Sequence, residues 1–276
     1  MMDRFLFGLC LVFAVTPNVY TENEIRIVTW NIESGGADIA AIADRVSGME
    51  EIDIWGFSEV QNIDWMIKLE TAAETGETDN FEFIPGSTGG TDRLAIVYNT
   101  DKFEMVKNFE IHWNDRPWFT SNMRPRSALV AKLKHIASDV DFFFVVNHLY
   151  RGRGVDPRRL DQATALRDWA SEKSLPVIAV GDYNFDWDLD INETAQNYEK
   201  GFGNMTAWSV FTWVVPANLI TTHDSRYNSI LDFIFIANSE GKINATSEIL
   251  VAYDEFSPRS EKSDHRPVLG IFRFRE

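Results

Sequence analysis

Cysteine is all but missing from this chain: Cys10 is the only one in 276 residues. A disulfide framework and a zinc–cysteine centre are thereby excluded, and Cys10 lies within an apolar N-terminal run, so a thiol nucleophile is excluded with them. Basic charge is also scarce, with 26 Lys and Arg against 42 Asp and Glu and a net charge of -16. Such a surface disfavours tight non-specific binding to a polyanion, although a nuclease whose site is neutralised locally by a metal stays open. Long apolar runs are few. The one at the start, Phe5–Val15, falls short of the ~20 residues that cross a bilayer. Following a short polar start with Arg4, it fits the hydrophobic region of a signal peptide better than a buried first strand or helix. Residues 1–23 are read as that signal, which predicts a secreted or periplasmic protein. Asp3 makes its positive start poor, and Leu9 before Cys10 spoils a lipoprotein box. No internal repeat, low-complexity tract or linker follows Glu24, so residues 24–276 read as a single domain.

Strand signals dominate what remains. Ile25–Asn31 is alternating and rich in β-branched residues, Ile52–Phe57 and Val140–Asn147 are apolar runs, and Phe81–Pro85 and Arg93–Tyr98 flank a glycine-rich loop. Lys102–Glu110, Ser127–Ile136, Ile230–Ile236 and Pro267–Phe274 complete the set of expected strands. Helices are predicted up to about Val46, from Asn62 to about Ala73, and from Pro157 through Trp169. A polar helical segment is expected near Asp190–Tyr198. The stretch Leu175–Asp190 carries the strongest local signal. Val177–Val180 is apolar on both faces, Gly181 lets the backbone turn, and Asp182 and Asn184 follow two residues apart, sharing one side of the strand end.

Polar residues at strand ends form the candidate site: Asn31, Glu59, His148, Asp182, Asn184, Asp232, Asp264 and His265. Each alone has a dull explanation as a turn cap, a solvated acid or a satisfied core histidine. Together they supply hard carboxylates for Mg²⁺ or Mn²⁺, imidazole donors for a phosphate and amides to orient both. Zinc is the weaker expectation, because no paired His or Cys spacing is present.

The motifs IVTWNIESGG, FSEVQ, NHLYRGR, VIAVGDYNFD, SILDFIFI and SDHRPV occur in that order between Ile25 and Phe274. In this the chain resembles the endonuclease/exonuclease/phosphatase superfamily, the deoxyribonuclease-I-like proteins, and is most similar to their bacterial nuclease-type members. The resemblance implies an α/β fold, a four-layer sandwich of two mixed, mostly antiparallel β-sheets packed face to face with helices outside. It implies metal ligation by Glu59 with Asn31 and Asp264, and a water oriented or deprotonated by Asp182 with Asn184 beside it on the phosphate. His265 would bond a phosphate oxygen, held in its tautomer by Asp232, with His148 on the other side as donor or general acid. Asp92 matches an acid that pairs with the first histidine, and Arg126 an arginine near the scissile phosphate; for both, an ordinary ion pair is the competing reading. Mg²⁺ or Mn²⁺ is the implied cofactor, with Ca²⁺ as a candidate structural ion.

Substrate lies in the loops. Arg151, Arg153, Arg158 and Arg159 form one basic cluster after His148, readable either as a phosphate-backbone track or as a salt-bridged loop and helix start. Trp113, Trp118 and Phe119 can stack on bases or simply pack. The leading expectation is an exported, metal-dependent phosphodiester hydrolase, an endonuclease acting on nucleic acid as a monomer with no obligate protein partner. The alternatives are a phosphatase or phosphodiesterase for a small or lipid phosphoester, and a non-catalytic binding module on the same fold.

Overall fold

The computed structural model describes residues 23–75, 80–111, 126–152, 156–190, 200–224, 228–252 and 262–275. The expected signal segment, the His112–Phe119 loop, Arg153 and most of the helical segment near Asp190–Tyr198 lie outside the described residues. Among those described, the strands are β1 (Glu24–Asn31), β2 (Ile54–Val60), β3 (Phe81–Pro85), β4 (Arg93–Asn99), β5 (Phe103–Ile111) and β6 (Ala128–His135), followed by β7 (Val140–His148), β8 (Val177–Asp188), β9 (Phe211–Trp213), β10 (Ser229–Ala237), β11 (Ile243–Ile249) and β12 (Val268–Phe274). The helices are α1 (Ile39–Ser47), α2 (Ile63–Glu74), α3 (Pro157–Ser171) and α4 (Lys200–Thr206). One six-stranded sheet runs β11-β12-β1-β2-β4-β3, the other β5-β6-β7-β8-β10-β9. Each is antiparallel except for a single parallel pair at its centre, β1 with β2 and β7 with β8. The sandwich implied by the resemblance is therefore the observed one.

Side-chain alternation explains the layers. Along β1, Ile25 and Ile27 enter the core between the sheets, whereas Val28 and Trp30 enter a second core under α1 and α2. On β2, Ile54 belongs to the first core, and Trp55 and Phe57 to the second. The apolar run Val177–Val180 is buried throughout, as a strand covered on both faces must be. The sheets approach so closely at Gly56 that a Cβ there would stand 2.7 Å from Val180 and 3.0 Å from Val146. Asp38, Asn62 and Asp156 cap α1, α2 and α3 through side-chain oxygens. Two strands were not anticipated: β9 is only three residues long, and in β11 polar residues alternate with few large apolar ones, which weakens the sequence signal.

Three differences bear on the site. β2 continues past Phe57 through Glu59, where its pairing with β4 becomes irregular. β8 does not end at Gly181 but carries Asp182 and Asn184 within it, on to Asp188. Gly181 adopts φ 136°, and a Cβ there would lie 2.0 Å from the Asn147 carbonyl oxygen of the neighbouring strand. The glycine serves close backbone approach inside the parallel pair rather than a turn out of it.

Candidate active site

Strand register assembles the site. His148 on β7 stands beside Asp182 on β8, and Asp182 stands opposite Asp232 on β10, so three of the predicted residues form one row across a sheet end. The other sheet contributes Asn31, the last residue of β1, and Glu59 near the end of β2. The loop before β12 is tied to the end of β1 by the Ser263 hydroxyl, which donates to the Asn31 carbonyl at 2.5 Å and accepts from the His265 amide at 2.9 Å. The Trp30 indole donates to the His265 carbonyl at 2.9 Å. These bonds place Asp264 and His265 against the row.

Asn31 bridges the sheets. Its Nδ2 donates to Glu59 Oε1 and to Asp182 Oδ2, each at 3.1 Å, and its Oδ1 accepts from the Glu33 amide at 3.1 Å. Asn31 thus orients two carboxylates, one of them Glu59, beside which it was expected to ligate a metal. Asn184 likewise positions: its amide donates to Asp182 Oδ1 at 2.9 Å, and its Nδ2 to the Leu149 carbonyl at 3.2 Å. Glu59 and Asn184 both hold left-handed backbone, φ 59° and 52°, strain of the kind that gathers at functional sites.

The four ionisable residues at the centre are differently tuned. Burial raises the Asp182 carboxyl; with His265 pulling it down and Asp232 pushing it up, it stands at about 6. Burial opposes a charge on His265, but Asp232, at 2.8 Å from Nδ1, together with Asp182 and Asp264 lifts it to about 10. Burial drives His148 well below the ordinary histidine range, reinforced by Arg126, His265 and Arg151. His148 Nε2 lies 3.3 Å from Asp182 Oδ2, and its Nδ1 lies 3.8 Å from Glu59 Oε1 without a hydrogen bond. Asp264 is lowered: burial raises it, and His223 and His265 beside it outweigh that.

Asp92 does not take the place expected of it. Its Oδ1 accepts from the Ser34 hydroxyl at 2.5 Å, and the carboxylate near His148 Nδ1 is Glu59. Arg126 is brought to the site; burial lowers its guanidinium, and Glu59, Asp182 and Asp92 offset that only in part. The basic cluster divides. Arg151 lines the central cavity, whereas Arg158 is paired with Asp156 at 2.9 Å and lies over the Tyr150 ring. Arg159 is fully buried and donates to the Tyr150 and Gly152 carbonyls. A continuous phosphate track through Arg158 and Arg159 is therefore not formed; the salt-bridged reading holds for Arg158, and Arg159 is engaged by backbone carbonyls.

A cavity of about 220 Å³ is lined by Glu59, His148, Arg151, Asp182, Asn184, Asp264 and His265, and by two polar residues that sequence reasoning missed, Glu33 and His223. Glu33 accepts from the Asp264 amide at 3.0 Å, and its carboxyl is raised by burial, Asp264 and Glu59. The chain has five histidines, and three of them line this one cavity, a signal that a histidine inventory would have caught. Glu59, Glu33 and Asp264, all half-buried on this one cavity, offer carboxylate oxygens of the kind that suit a hard divalent cation.

A family model described as the Endonuclease/Exonuclease/phosphatase family matches residues 28–265. Among curated proteins no sequence match is found. Solved structures do match. An endonuclease/exonuclease/phosphatase family protein from Bacteroides thetaiotaomicron is 20% identical with a TM-score of 0.67, over 91% of this chain and 95% of that one. A mannosyl-6-phosphatase of the same species is 20% identical with a TM-score of 0.65, over 91% and 100%. D. rerio TDP2, complexed with a single-strand DNA product, is 15% identical with a TM-score of 0.68, over 91% and 99%. At these identities the likeness is one of fold.

Proposed function

Since the chain belongs to the endonuclease/exonuclease/phosphatase family, whose members hydrolyse phosphoesters, we propose that it is a divalent-metal-dependent phosphoester hydrolase with Asp182 as the base for the attacking water. One observation carries the reading. Asp182 Oδ2 gathers Asn31 Nδ2 at 3.1 Å, His148 Nε2 at 3.3 Å and His265 Nε2 at 3.8 Å at the wall of one cavity. A carboxylate at about 6 is ionised at neutral pH and still basic enough to accept a proton. Asn31 and the Asn184 amide hold its two oxygens in place. His265 is a cation at neutral pH, oriented by Asp232, and offers Nε2–H to a phosphate oxygen. His148 is neutral there, so it serves as an uncharged hydrogen-bonding partner of the phosphate rather than as a general acid. Glu59 and Asp264, with Glu33 beside them, would hold the metal, which when bound supplies neutralising charge to the phosphate and leaving oxygens.

The substrate we favour is a compact phosphoester. The acidic chain and the internal engagement of Arg158 and Arg159 argue against a long polyanion track. An endonuclease is the second reading, favoured by Arg126 and Arg151 beside the site. Export through residues 1–23 belongs to the same proposal and rests on Phe5–Val15; N-terminal sequencing of secreted protein checks it. The enzymatic test is purified protein with Mg²⁺, Mn²⁺ or EDTA against p-nitrophenyl phosphate, bis-p-nitrophenyl phosphate, sphingomyelin and plasmid DNA. Metal-dependent turnover is expected, lowered by ~10²-fold or more in Asp182→Asn. Unchanged turnover in that variant, or none on any ester with either metal, would refute the assignment. Nicking of plasmid at enzyme concentrations that leave the small esters intact would select the endonuclease reading.

A further inference from the structure

His223 is unaccounted for by the hydrolytic site, and its surroundings are specific. Its backbone forms a β-bridge with His265, flanked by hydrogen bonds from the Asp224 amide to the Asp264 carbonyl at 2.8 Å and from the Arg266 amide to the Thr222 carbonyl at 2.9 Å. Two imidazoles are thereby fixed side by side by main-chain pairing, with ring centroids 4.7 Å apart and planes at 76°. Asp264 lies between them: its Oδ2 is 3.2 Å from His223 Nε2 and its Oδ1 is 3.9 Å from His265 Nε2. One ligand atom each from His223, Asp264 and His265 falls within 4.8 Å of the others.

Two further facts point to a ligand. His223 is only 7% exposed and both of its ring nitrogens are buried: Nδ1 has no bonded partner, and Nε2 meets the Asp264 carboxylate at 3.2 Å out of hydrogen-bond alignment. A buried ring nitrogen without a bonded partner is costly. The separation without bonding alignment is what two ligands of one ion show, since atoms held at about 2.0–2.2 Å in a tetrahedral shell stand roughly 3.3–3.5 Å apart. His265 Nδ1 is engaged by Asp232 at 2.8 Å, the carboxylate–imidazole arrangement that aims the opposite nitrogen at a metal.

We propose that His223, Asp264 and His265 form a second cation seat, for a borderline transition ion such as Zn²⁺ or Co²⁺, distinct in chemistry from the all-oxygen seat at Glu59 and Glu33, with which it shares Asp264. The ion binds as a replacement for the proton on His265 Nε2, with a solvent molecule completing the shell. Where the hydrolase reading holds, occupation withdraws that N–H from the phosphate and makes the seat inhibitory; binding itself does not depend on that reading.

The test is calorimetric titration of the metal-stripped full chain with Zn²⁺, and visible absorption with Co²⁺, for the wild type, His223→Ala, His223→Gln and Glu59→Gln. Expected is a Zn²⁺ site in the wild type that weakens by ~10²-fold or more in both His223 variants and persists in Glu59→Gln, with four-coordinate Co²⁺ bands lost only in the former. Thermal unfolding confirms that each variant is folded, and two His223 substitutions guard against one of them failing. Wild-type affinity for Zn²⁺ in a folded His223 variant, or no Zn²⁺ binding by the wild type, overturns the proposal. Since the readout is binding, failure of the hydrolase reading would leave this result standing, and the reverse.

Discussion

Asp232→Asn isolates the electrostatics of the site. Asp232 is 1% exposed and His265 4%, and their 2.8 Å contact is screened by little water. Burial opposes the imidazolium, yet Asp232, Asp182 and Asp264 lift it from 6.5 to about 10. At 1.36 kcal/mol per unit that lift corresponds to roughly 5 kcal/mol in favour of the charged ring. Asp232 is the nearest of the three, so exchanging its charge for an amide of the same shape should lower His265 by about 2 units or more, on the order of 3 kcal/mol. The amide oxygen still accepts from Nδ1–H, so the ring keeps its place. The assay is an NMR titration of the histidine Cε1–H signals in metal-free protein, with His265→Gln to assign the resonance. Stability gives an independent reading. Because the folded value lies above the unfolded one, the contribution is complete below about pH 6.5 and is lost as pH rises through about 10. The wild type should therefore lose stability over that interval, and Asp232→Asn should show a flatter profile. A His265 midpoint within half a unit of the wild type would refute the reasoning.

Gly181→Ala should cost on the order of 3 kcal/mol or more, because the residue combines φ 136° with a Cβ position 2.0 Å from the Asn147 carbonyl oxygen; urea unfolding measures it, and a loss under about 1 kcal/mol would contradict the packing described. Arg159→Met should destabilise by about 2–4 kcal/mol by leaving the Tyr150 and Gly152 carbonyls short of a buried donor. Arg151→Ala, at an exposed position on the cavity, should leave stability within about 0.5 kcal/mol and raise KM for the phosphoester several-fold. Equal stability losses in the two arginine variants would remove the division of the basic cluster.

What the chain's own letters determined follows from local periodicity and chemistry. The alternating, β-branched run Ile25–Asn31 and the unbroken apolar run Val177–Val180 declared strands, and Asn62 and Pro157 marked helix starts. Residue type and order were enough to nominate Asp182, Asp232, His148 and His265 and the hydrolytic chemistry they suit. Pair geometry was not legible, because it depends on register between strands far apart in sequence. Only the pairing of β7 with β8 and β8 with β10 sets His148, Asp182 and Asp232 in one row. Only folding turned the Arg159 side chain inward while leaving Arg151 at the cavity. The absence of closely spaced histidines argued against a transition-metal seat, since a local motif holds its ligands on one turn or hairpin. The tertiary structure reached such a set another way, through a bridge between His223 and His265, residues that lie in separate segments of the chain. Sequence determines which groups are available and which face of a strand each takes; long-range strand pairing decides which of them share a charge, a proton or an ion.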